Sequence, residues 1–174
     1  MKKVLGPEFF DRPTPTVARD LLGKFLVRRH LGKTTAYMII ETEAYYGFKD
    51  KASHAHKRQT LRNSPMFAAP GTIYVYFTYG MHWMLNLVTG KVGHPGAVLI
   101  RGVAEVSGPA RLTKHLKIDK QLTGLMLGKS AGLWIEDRGV VVKNKQVQKT
   151  PRIGIRYAEE WVEKLWRFVL TPPF

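Results

Sequence analysis

The chain has 174 residues, no cysteine, and 28 lysine and arginine residues against 13 aspartate and glutamate residues, a formal charge of +15. This length fits one domain with a sizeable core, and the absence of thiols excludes disulfide bonds and thiolate metal sites. The basic residues are spread from Lys2 to Arg167, which excludes a basic tail and favours a polyanionic partner, foremost a nucleic acid.

The N-terminus reaches Pro7 and Glu8 before any apolar stretch long enough for a signal sequence, and no later apolar run approaches about 18 residues. We therefore expect one intracellular domain over residues 1–174 that makes no membrane contact. In a prokaryote it would lie in the cytoplasm or nucleoid.

The first predicted helix lies in "TPTVARDLLG", with Thr14 as its cap, Pro15 in its first turn and Gly23 as its stop. The next segments, "KFLVRRH" and "TTAYMIIETEAYY", are joined by the turn-like "LGK" and predict the two strands of a hairpin. After Gly47 the polar and basic stretch "FKDKASHAHKRQTLRNSP" predicts a long loop, and loops of this length often carry function.

A second hairpin is predicted in "PGTIYVYFTYGMHWMLNLV", with strands near 72–77 and 82–88 and Tyr79 at the bend. One buried strand is expected in "GAVLIRGVAEV", and a serine-capped helix in "SGPARLTKHL". A further helix is expected in "DKQLTGLML", and short strands in "LWIEDRG", "VVVKN", "PRIGIRY" and "LWRFVL". These elements predict an α+β fold, a single compact domain with a mostly antiparallel, curved β-sheet, a protruding β-hairpin and a few short helices.

Two carboxylates in "ETEAYYG" interrupt the second strand where core residues are expected. Period-two alternation places Ile39, Glu41, Glu43 and Tyr45 on one face of this strand and leaves the other face apolar. The polar face suits either a solvent-exposed surface or the wall of a polar cleft, and exposed glutamates on such strands are common.

Three chemical roles of this polar face are alternatives to a plain solvent-exposed surface. A metal site could use Glu41, Glu43, His54 and His56, but their spacing matches no helical HExxH pattern. Paired glycosidase carboxylates should face each other across a sugar, which two glutamates on one strand face do not obviously do. A single carboxylate that activates a water is simpler.

The aromatic hairpin favours a site for nucleic acid. Tyrosines in strands usually pack, which is the ordinary role for Tyr74 and Tyr76. A large aromatic side chain at a turn tip, as predicted for Tyr79, is what a basic protein would insert between stacked bases. The displaced base would need aromatic faces, which Tyr45, His54 and Tyr76 could provide. A wedge, a stacking pocket and a carboxylate together indicate base flipping with hydrolysis.

Several long motifs, in this order, resemble the alkyladenine DNA glycosylase family, the 3-methyladenine DNA glycosylases of human type. They are "FFDRPTPTVARDLLGKFLVRR", "IIETEAYYG" followed by His54, "RQTLRN", "MFAAPGTIYVYFTYGMHWMLN" and "VLIRG", and the likeness resumes at "GPARL", "RIGI" and "EEW". The resemblance implies an enzyme that removes modified purines from double-stranded DNA, and we expect it to use no cofactor and no metal. No lysine stands out as an amine nucleophile, so we expect a monofunctional enzyme that leaves an abasic site, with lyase activity as the open alternative. The expected substrates are 3-methyladenine, 7-methylguanine, hypoxanthine and ethenoadenine.

The resemblance also implies residue roles. Glu43 would be the general base, with Arg101 and the backbone carbonyl near Ile153 helping to hold the attacking water. A purine methylated at N3 or N7 is already cationic, so one carboxylate can suffice for its release.

The resemblance makes Tyr79 the intercalating wedge and Asn86 the group that excludes guanine. Arg58 and Arg62 are phosphate-contact candidates because they lie in the basic loop. The expected base pocket comprises Tyr45, His54, Tyr76, Asn86 and Ile153, and the expected DNA contacts are Tyr79, Met81, His82, Arg58 and Arg62.

One connection departs from the family pattern. Only "GVAEVS" stands between Arg101 and "GPARL", where family members usually carry a longer helical segment. Two other functions stay open: a DNA-binding protein that keeps the wedge but does not cleave, and an RNA-binding module, for which the "ETEAYYG" face has no role. We expect a monomer.

Overall fold

The computed structural model describes residues 2–172, and within them ten strands form one antiparallel sheet accompanied by three α-helices. The predicted α+β class is confirmed. In chain order the elements are β1 (Lys3–Val4), α1 (Pro7–Phe10), α2 (Thr14–Asp20), β2 (Phe25–His30), β3 (Lys33–Tyr46), β4 (Ile73–Thr78), β5 (His82–Thr89), β6 (Gly96–Val103), β7 (Val106–Ser107), α3 (Pro109–His115), β8 (Leu133–Asp137), β9 (Val147–Thr150) and β10 (Arg167–Leu170).

Strand β3 is the centre of the sheet, whose main strand order is β1-β8-β2-β3-β6-β5-β4. Residues 33–38 of β3 pair with β2, whereas residues 39–46 pair with β6. Strand β10 pairs with β3 on the stretch 41–43, with Arg167 opposite Glu43. The "ETE" motif is therefore held by strands from distant parts of the chain.

The alternation predicted for β3 is wrong at Ile39. The register against β6 shifts between Ile39 and Thr42, which marks a β-bulge. Ile39 and Ala44 are five residues apart, yet both belong to the main core, which regular alternation forbids. The bulge thus places Ile39 in the core and lets Glu41 and Glu43 point away from it.

The core lies between the sheet and α2. The helix buries Val17 and Ala18 completely, and the Thr42 hydroxyl donates a hydrogen bond to the Ala18 carbonyl at 2.8 Å. Burial of a side chain the size of valine contributes about 1.5–3 kcal/mol. None of the helices within residues 2–172 has the length and apolar character needed to cross a membrane.

Both predicted helix caps are wrong. Helix α2 begins at Thr14 after Pro13, and the Thr14 hydroxyl bonds the Thr89 hydroxyl at 2.8 Å instead of the helix backbone. Ser107 lies in β7, and Gly108, with φ of 95°, precedes α3. The Thr14 hydroxyl is thus used to join α2 to β5, and Ser107 lies one residue too early, because Gly108 occupies the cap position.

Three other predicted elements differ from the structure. "DKQLTGLML" forms only the 3-10 turn Lys120–Leu122, which the Asp119 side chain caps. "VVVKN" and "PRIGIRY" contain no strand, and the strand of this region is β9 instead. Both hairpins, β2–β3 and β4–β5, and the buried strand β6 lie as predicted.

Candidate active site

An aromatic pocket of about 310 Å³ opens beside the β4–β5 hairpin. Strands β3 to β6, the loop after β3 and the segment after β9 supply its walls. Pockets for small organic molecules start near this size, at about 300 Å³. Its lining includes Tyr45, His54, Tyr74, Tyr76, Tyr79, Asn86, Arg101, Ile153 and Tyr157.

The Glu43 carboxylate is completely buried beside this pocket. Its Oε1 accepts the backbone N–H of Ile153 at 2.8 Å, and its Oε2 accepts the Tyr45 hydroxyl at 2.9 Å and Arg101 Nη1 at 3.4 Å. Burial of a carboxylate is costly unless donors surround it. These donors offset that cost and fix one orientation, so the plain-surface interpretation of the strand is wrong for Glu43.

Glu41 has a different environment from Glu43. Its Oε1 accepts Arg101 Nε at 3.0 Å and Arg167 Nε at 2.7 Å. Arg101 therefore spans both carboxylates, and Glu41 holds it in place. Sequence reasoning missed Arg167, because nothing in "LWRFVL" shows that β10 will pair with "ETE".

The Ile153 backbone N–H donates to Glu43. The resemblance assigned the nearby backbone carbonyl to the attacking water, and that role stays a prediction. The preceding residue, Arg152, is buried and fixes this segment. Its Nη1 donates to Asp50 Oδ2 at 2.5 Å and to the Ala44 carbonyl at 2.8 Å, and its Nη2 donates to Asp50 Oδ1 at 2.9 Å. Asp50 and Arg152 were not among the predicted site residues.

Asp50 also organises the loop that leads to His54. Its carboxylate accepts the backbone N–H of Tyr46 at 2.9 Å and of Ala52 at 3.0 Å. Farther along, Asn63 Nδ2 donates to the His54 carbonyl at 2.9 Å. The long polar loop is thus an ordered wall of the pocket.

The side chains of the aromatic walls are uncharged at neutral pH. His54 Nδ1 lies 3.1 Å from the Tyr74 hydroxyl. The His54 and Tyr76 rings make an edge-to-face contact, with centroids 4.4 Å apart. Desolvation by the surrounding pocket walls, followed by the charge of Arg62, lowers the pKa of His54 to about 4, although part of the residue is exposed to solvent. Burial also raises the pKa of Tyr74 to about 12 and the pKa of Tyr45 well above its usual value.

We expect the His54 imidazole to stay neutral down to about pH 5 and to take up a proton only near pH 4. An unfolded histidine is protonated near 6.5, so this residue makes the folded state less stable as the pH falls from about 6.5 to about 4. NMR titration of the imidazole Cε1–H signal measures this directly, with His54→Gln to assign the signal. A midpoint near 6.5 in the folded protein would contradict the prediction.

Asn86 is buried in β5 and lines the pocket. Its Nδ2 donates two long hydrogen bonds, to the Tyr74 carbonyl at 3.4 Å and to the Met84 carbonyl at 3.3 Å. These contacts hold the amide across the β4–β5 pair, where it forms part of the pocket wall.

Tyr79 lies at the tip of the hairpin, as predicted. It is 80% exposed, and both Tyr79 (φ 51°) and Gly80 (φ 66°) have left-handed backbone conformations. Turns of this kind favour glycine and asparagine, so a tyrosine is held there at a conformational cost. Met81, which follows, is 67% exposed, and His82 begins β5.

Arg58 and Arg62 lie in the exposed part of the loop, outside the pocket lining. Arg62 Nη2 donates to the Phe77 carbonyl at 2.8 Å, and its guanidinium lies 5.6 Å from the centre of the Tyr76 ring. Arg62 thus ties the loop to the hairpin. The Arg58 backbone carbonyl accepts Asn63 Nδ2 at 3.0 Å.

Tyr157 is a pocket residue that sequence reasoning missed. It is 66% exposed, and its hydroxyl donates to the Ala52 carbonyl at 3.4 Å. It follows Ile155, which is buried against Ala52 in a small core cluster. "PRIGIRY" was expected to form a strand, so no signal placed this ring at the pocket.

The short connection after β6 closes without a helix. Strand β7 folds back on β6, pairing Val106 with Val103 and Ser107 with Gly102, and α3 follows at once. Pro109, the first residue of α3, lines the aromatic pocket. Residues from both sides of this connection, Arg101 and Pro109, therefore line the pocket.

No group of three or more His, Asp or Glu side chains within residues 2–172 is arranged to hold a metal ion. His56 Nδ1 lies 2.8 Å from the Phe48 carbonyl, and both glutamates are paired with arginine. Instead of a metal site, the structure has one buried carboxylate, held by hydrogen-bond donors, beside an aromatic pocket.

Comparison with known proteins identifies the family. The family model described as methylpurine-DNA glycosylase (MPG) matches residues 8–108 and 104–172, two segments that meet at the short connection after β6. Three relatives each carry the name "Putative 3-methyladenine DNA glycosylase". The relative from Methanocella arvoryzae is 44% identical over 95% of this chain and 91% of its own length.

The other two relatives are bacterial. The protein from Clostridium perfringens strain 13 is 39% identical over 95% of both chains. The protein from Prosthecochloris aestuarii is 41% identical over 92% of this chain and 84% of its own. With a family model that covers most of the sequence and relatives well above 30% identity, the chain belongs to the methylpurine-DNA glycosylase family.

Proposed function

We propose that this DNA repair glycosylase flips alkylated or deaminated purines out of duplex DNA and hydrolyses the N-glycosidic bond with a water activated by Glu43. The expected substrate class comprises 3-methyladenine, 7-methylguanine, hypoxanthine and ethenoadenine. The observation that supports it best is the buried, fixed Glu43 carboxylate beside an aromatic pocket. The protein would act inside the cell as a monomer.

Binding starts at the hairpin tip in this proposal. The exposed Tyr79 ring enters the duplex and fills the gap that the displaced base leaves, while Met81, His82, Arg58 and Arg62 contact the DNA around it. The flipped base enters the aromatic pocket, where it stacks among Tyr45, His54 and Tyr76.

An N-alkylated purine is favoured in such a pocket for an electrostatic reason. Its positive charge is attracted to the faces of tyrosine rings, an interaction worth about 0.5–2 kcal/mol. A neutral His54 adds no repulsion, since its pKa lies near 4. The Asn86 amide stands in the pocket wall, where it would clash with the 2-amino group of guanine.

In the chemical step, the bond between C1′ and the purine nitrogen breaks, and its electrons go to the purine. The water oxygen bonds to C1′, and its proton passes to Glu43. A cationic purine leaves as a neutral molecule, so it needs no general acid, whereas hypoxanthine must acquire a proton. Glu43 also stabilises the oxocarbenium-like sugar by its negative charge. Arg101 orients the Glu43 carboxylate and the attacking water.

Glu41→Gln is expected to reduce single-turnover base release by about tenfold, much less than loss of the general base. The amide keeps the shape of Glu41 but loses the charge that holds Arg101 and Arg167. The measurement is single-turnover excision from a duplex with one hypoxanthine. Losses as large as those of Glu43→Gln would instead indicate that both carboxylates take part directly.

A non-catalytic damaged-DNA-binding protein is the second candidate, because an exposed wedge and a +15 charge do not require chemistry. One experiment separates the two functions. A duplex with one ethenoadenine is incubated with the protein and scored for abasic sites. The proposed enzyme produces abasic sites at the lesion, and a binding protein shifts the duplex but releases no base.

A further inference from the structure

A second cavity, of about 200 Å³, lies away from the aromatic pocket, at the end of α3 and the β2–β3 hairpin. We call it the cationic cavity, because its lining includes the basic side chains of Arg28, His30, Lys33, His115 and Lys117. Among residues 2–172, no aspartate or glutamate lines it. The proposed glycosylase mechanism makes no use of these residues.

Arg28 forms the floor of the cationic cavity and is only 9% exposed. Its guanidinium donates to the carbonyls of Leu116 at 3.1 Å, Lys117 at 3.1 Å and Gly132 at 3.2 Å. Carbonyls satisfy its hydrogen-bonding groups, and no salt bridge within residues 2–172 joins it directly to a carboxylate. Asp119, whose charge acts on Arg28, uses its carboxylate to accept the Gln121 backbone N–H at 2.9 Å.

Lys117 stands on the rim in a left-handed conformation, with φ of 52°. It follows the last turn of α3, and the Ile118 N–H donates to the Thr113 carbonyl at 2.9 Å, which is a Schellman closure. Glycine is favoured at this position, and a residue with a side chain costs about 1–2 kcal/mol there. Lys117 thus stays at the rim of the cavity although its left-handed backbone conformation is unfavourable for a residue with a side chain.

We propose that the cationic cavity binds a phosphate group, with Lys33 and Lys117 as the mobile cations and Arg28 as the fixed one. Two sources share this chemistry, the phosphodiester backbone of bound DNA and free phosphate. We choose DNA, because a chain of charge +15 attracts a polyanion, and in naming DNA the inference rests on the proposed function.

Helix α3 links the cavity to the aromatic pocket. Pro109 at its start lines the aromatic pocket, and His115 at its end lines the cationic cavity. Along β3, Tyr37 precedes Glu43 by six residues, a span of about 20 Å at about 3.3 Å per residue. At about 3.4 Å per base pair, the cavity would meet the duplex roughly six base pairs from the flipped nucleotide.

The test uses three duplexes that carry a stable abasic-site analogue. The first duplex has about 12 base pairs on each side of the analogue. Each of the other two has about three base pairs on one side only, which is too short to reach the cavity roughly six base pairs away. Affinity is measured by fluorescence anisotropy for the wild type and for the Lys33→Gln/Lys117→Gly variant. Lys91→Gln/Lys145→Gln is the matched control, since it removes two exposed lysines outside the lining of the cavity.

The wild type should bind one of the two shortened duplexes about tenfold more weakly than the full-length duplex. The Lys33→Gln/Lys117→Gly variant should bind that shortened duplex as tightly as it binds the full-length one. Its slope of log affinity against log salt should be shallower by about 1, because about 0.9 counterions are released per phosphate contact and the cavity holds one phosphate. The control variant should keep the dependence on the cut side. Lys117→Gly alone should not lower the melting temperature, since glycine suits this backbone position.

A second arm separates the two phosphate sources. If inorganic phosphate shifts the NMR signals of His115 and raises the melting temperature of the wild type but not of the variant, while duplex length has no effect, the site is for free phosphate. If neither probe distinguishes the variant from the wild type, the cavity binds no phosphate and the inference is wrong. Base release by the wild type is scored separately, so a failure of the proposed function is visible on its own.

Discussion

Replacing Glu43 by glutamine is expected to reduce base release by about a thousandfold or more, because the amide keeps the shape of the side chain but cannot accept a proton from water. Affinity for damaged duplex should change little. Glu43 is completely buried, and it touches Ile153, Tyr45 and Arg101 rather than the mouth of the pocket. The substitution therefore removes a proton acceptor and leaves the DNA-binding surface as it is.

Single-turnover excision of hypoxanthine measures the chemical step, and anisotropy with an abasic-site analogue measures binding. Tyr45→Phe is an informative companion, because it removes one donor to Glu43 and keeps the aromatic face. We expect Tyr45→Phe to be far milder than Glu43→Gln. Normal turnover by a correctly folded Glu43→Gln protein would remove Glu43 as the general base.

Breaking the buried pair between Asp50 and Arg152 is expected to destabilise the fold by about 3–5 kcal/mol, the usual cost of leaving one member of such a pair alone. Neither side chain has any exposed surface. Asp50→Asn leaves the Arg152 charge without its partner and weakens the acceptor for the Tyr46 and Ala52 amides. The midpoint of urea unfolding should fall accordingly.

The same substitution should also reduce catalysis in the molecules that remain folded. Arg152 precedes Ile153, whose N–H holds Glu43, and the Arg152 guanidinium lies 4.9 Å from the centre of the Tyr45 ring. Lys51→Ala, which removes an exposed ion pair in the same loop, is the control and should leave the midpoint nearly unchanged. An unchanged midpoint for Asp50→Asn would contradict the structural role of the pair.

Much of the fold and part of the site could be predicted from local sequence patterns. Alternation and turn residues gave both hairpins, and Tyr79 could be placed at a tip because the bend and its glycine are adjacent in sequence. Alternation alone did not decide whether Glu43 lies on the surface or in a cleft, and the likeness of whole motifs to a known family selected Glu43 as the expected general base.

The remaining features depend on contacts between distant parts of the chain. Asp50 and Arg152 are 102 residues apart, and the Arg167 side chain meets Glu41 across 126 residues. The bulge in β3 depends on its pairing with β6, and Tyr157 reaches the pocket because Ile155 is buried against Ala52. No periodicity or cap residue reports such pairings, so the sequence alone could not supply them.

The pairing of β10 with β3 has a consequence for the order of events during synthesis. Arg167 and the strand around it complete the edge of β3 that carries Glu41 and Glu43. A chain still being translated can form both hairpins and the wedge while this strand remains inside the ribosome. Contacts of such long sequence separation form late in folding. A nascent chain would therefore expose the hairpin tip before the proposed catalytic centre at Glu43 is complete, and the ability to cleave would arrive only when β10 pairs with β3.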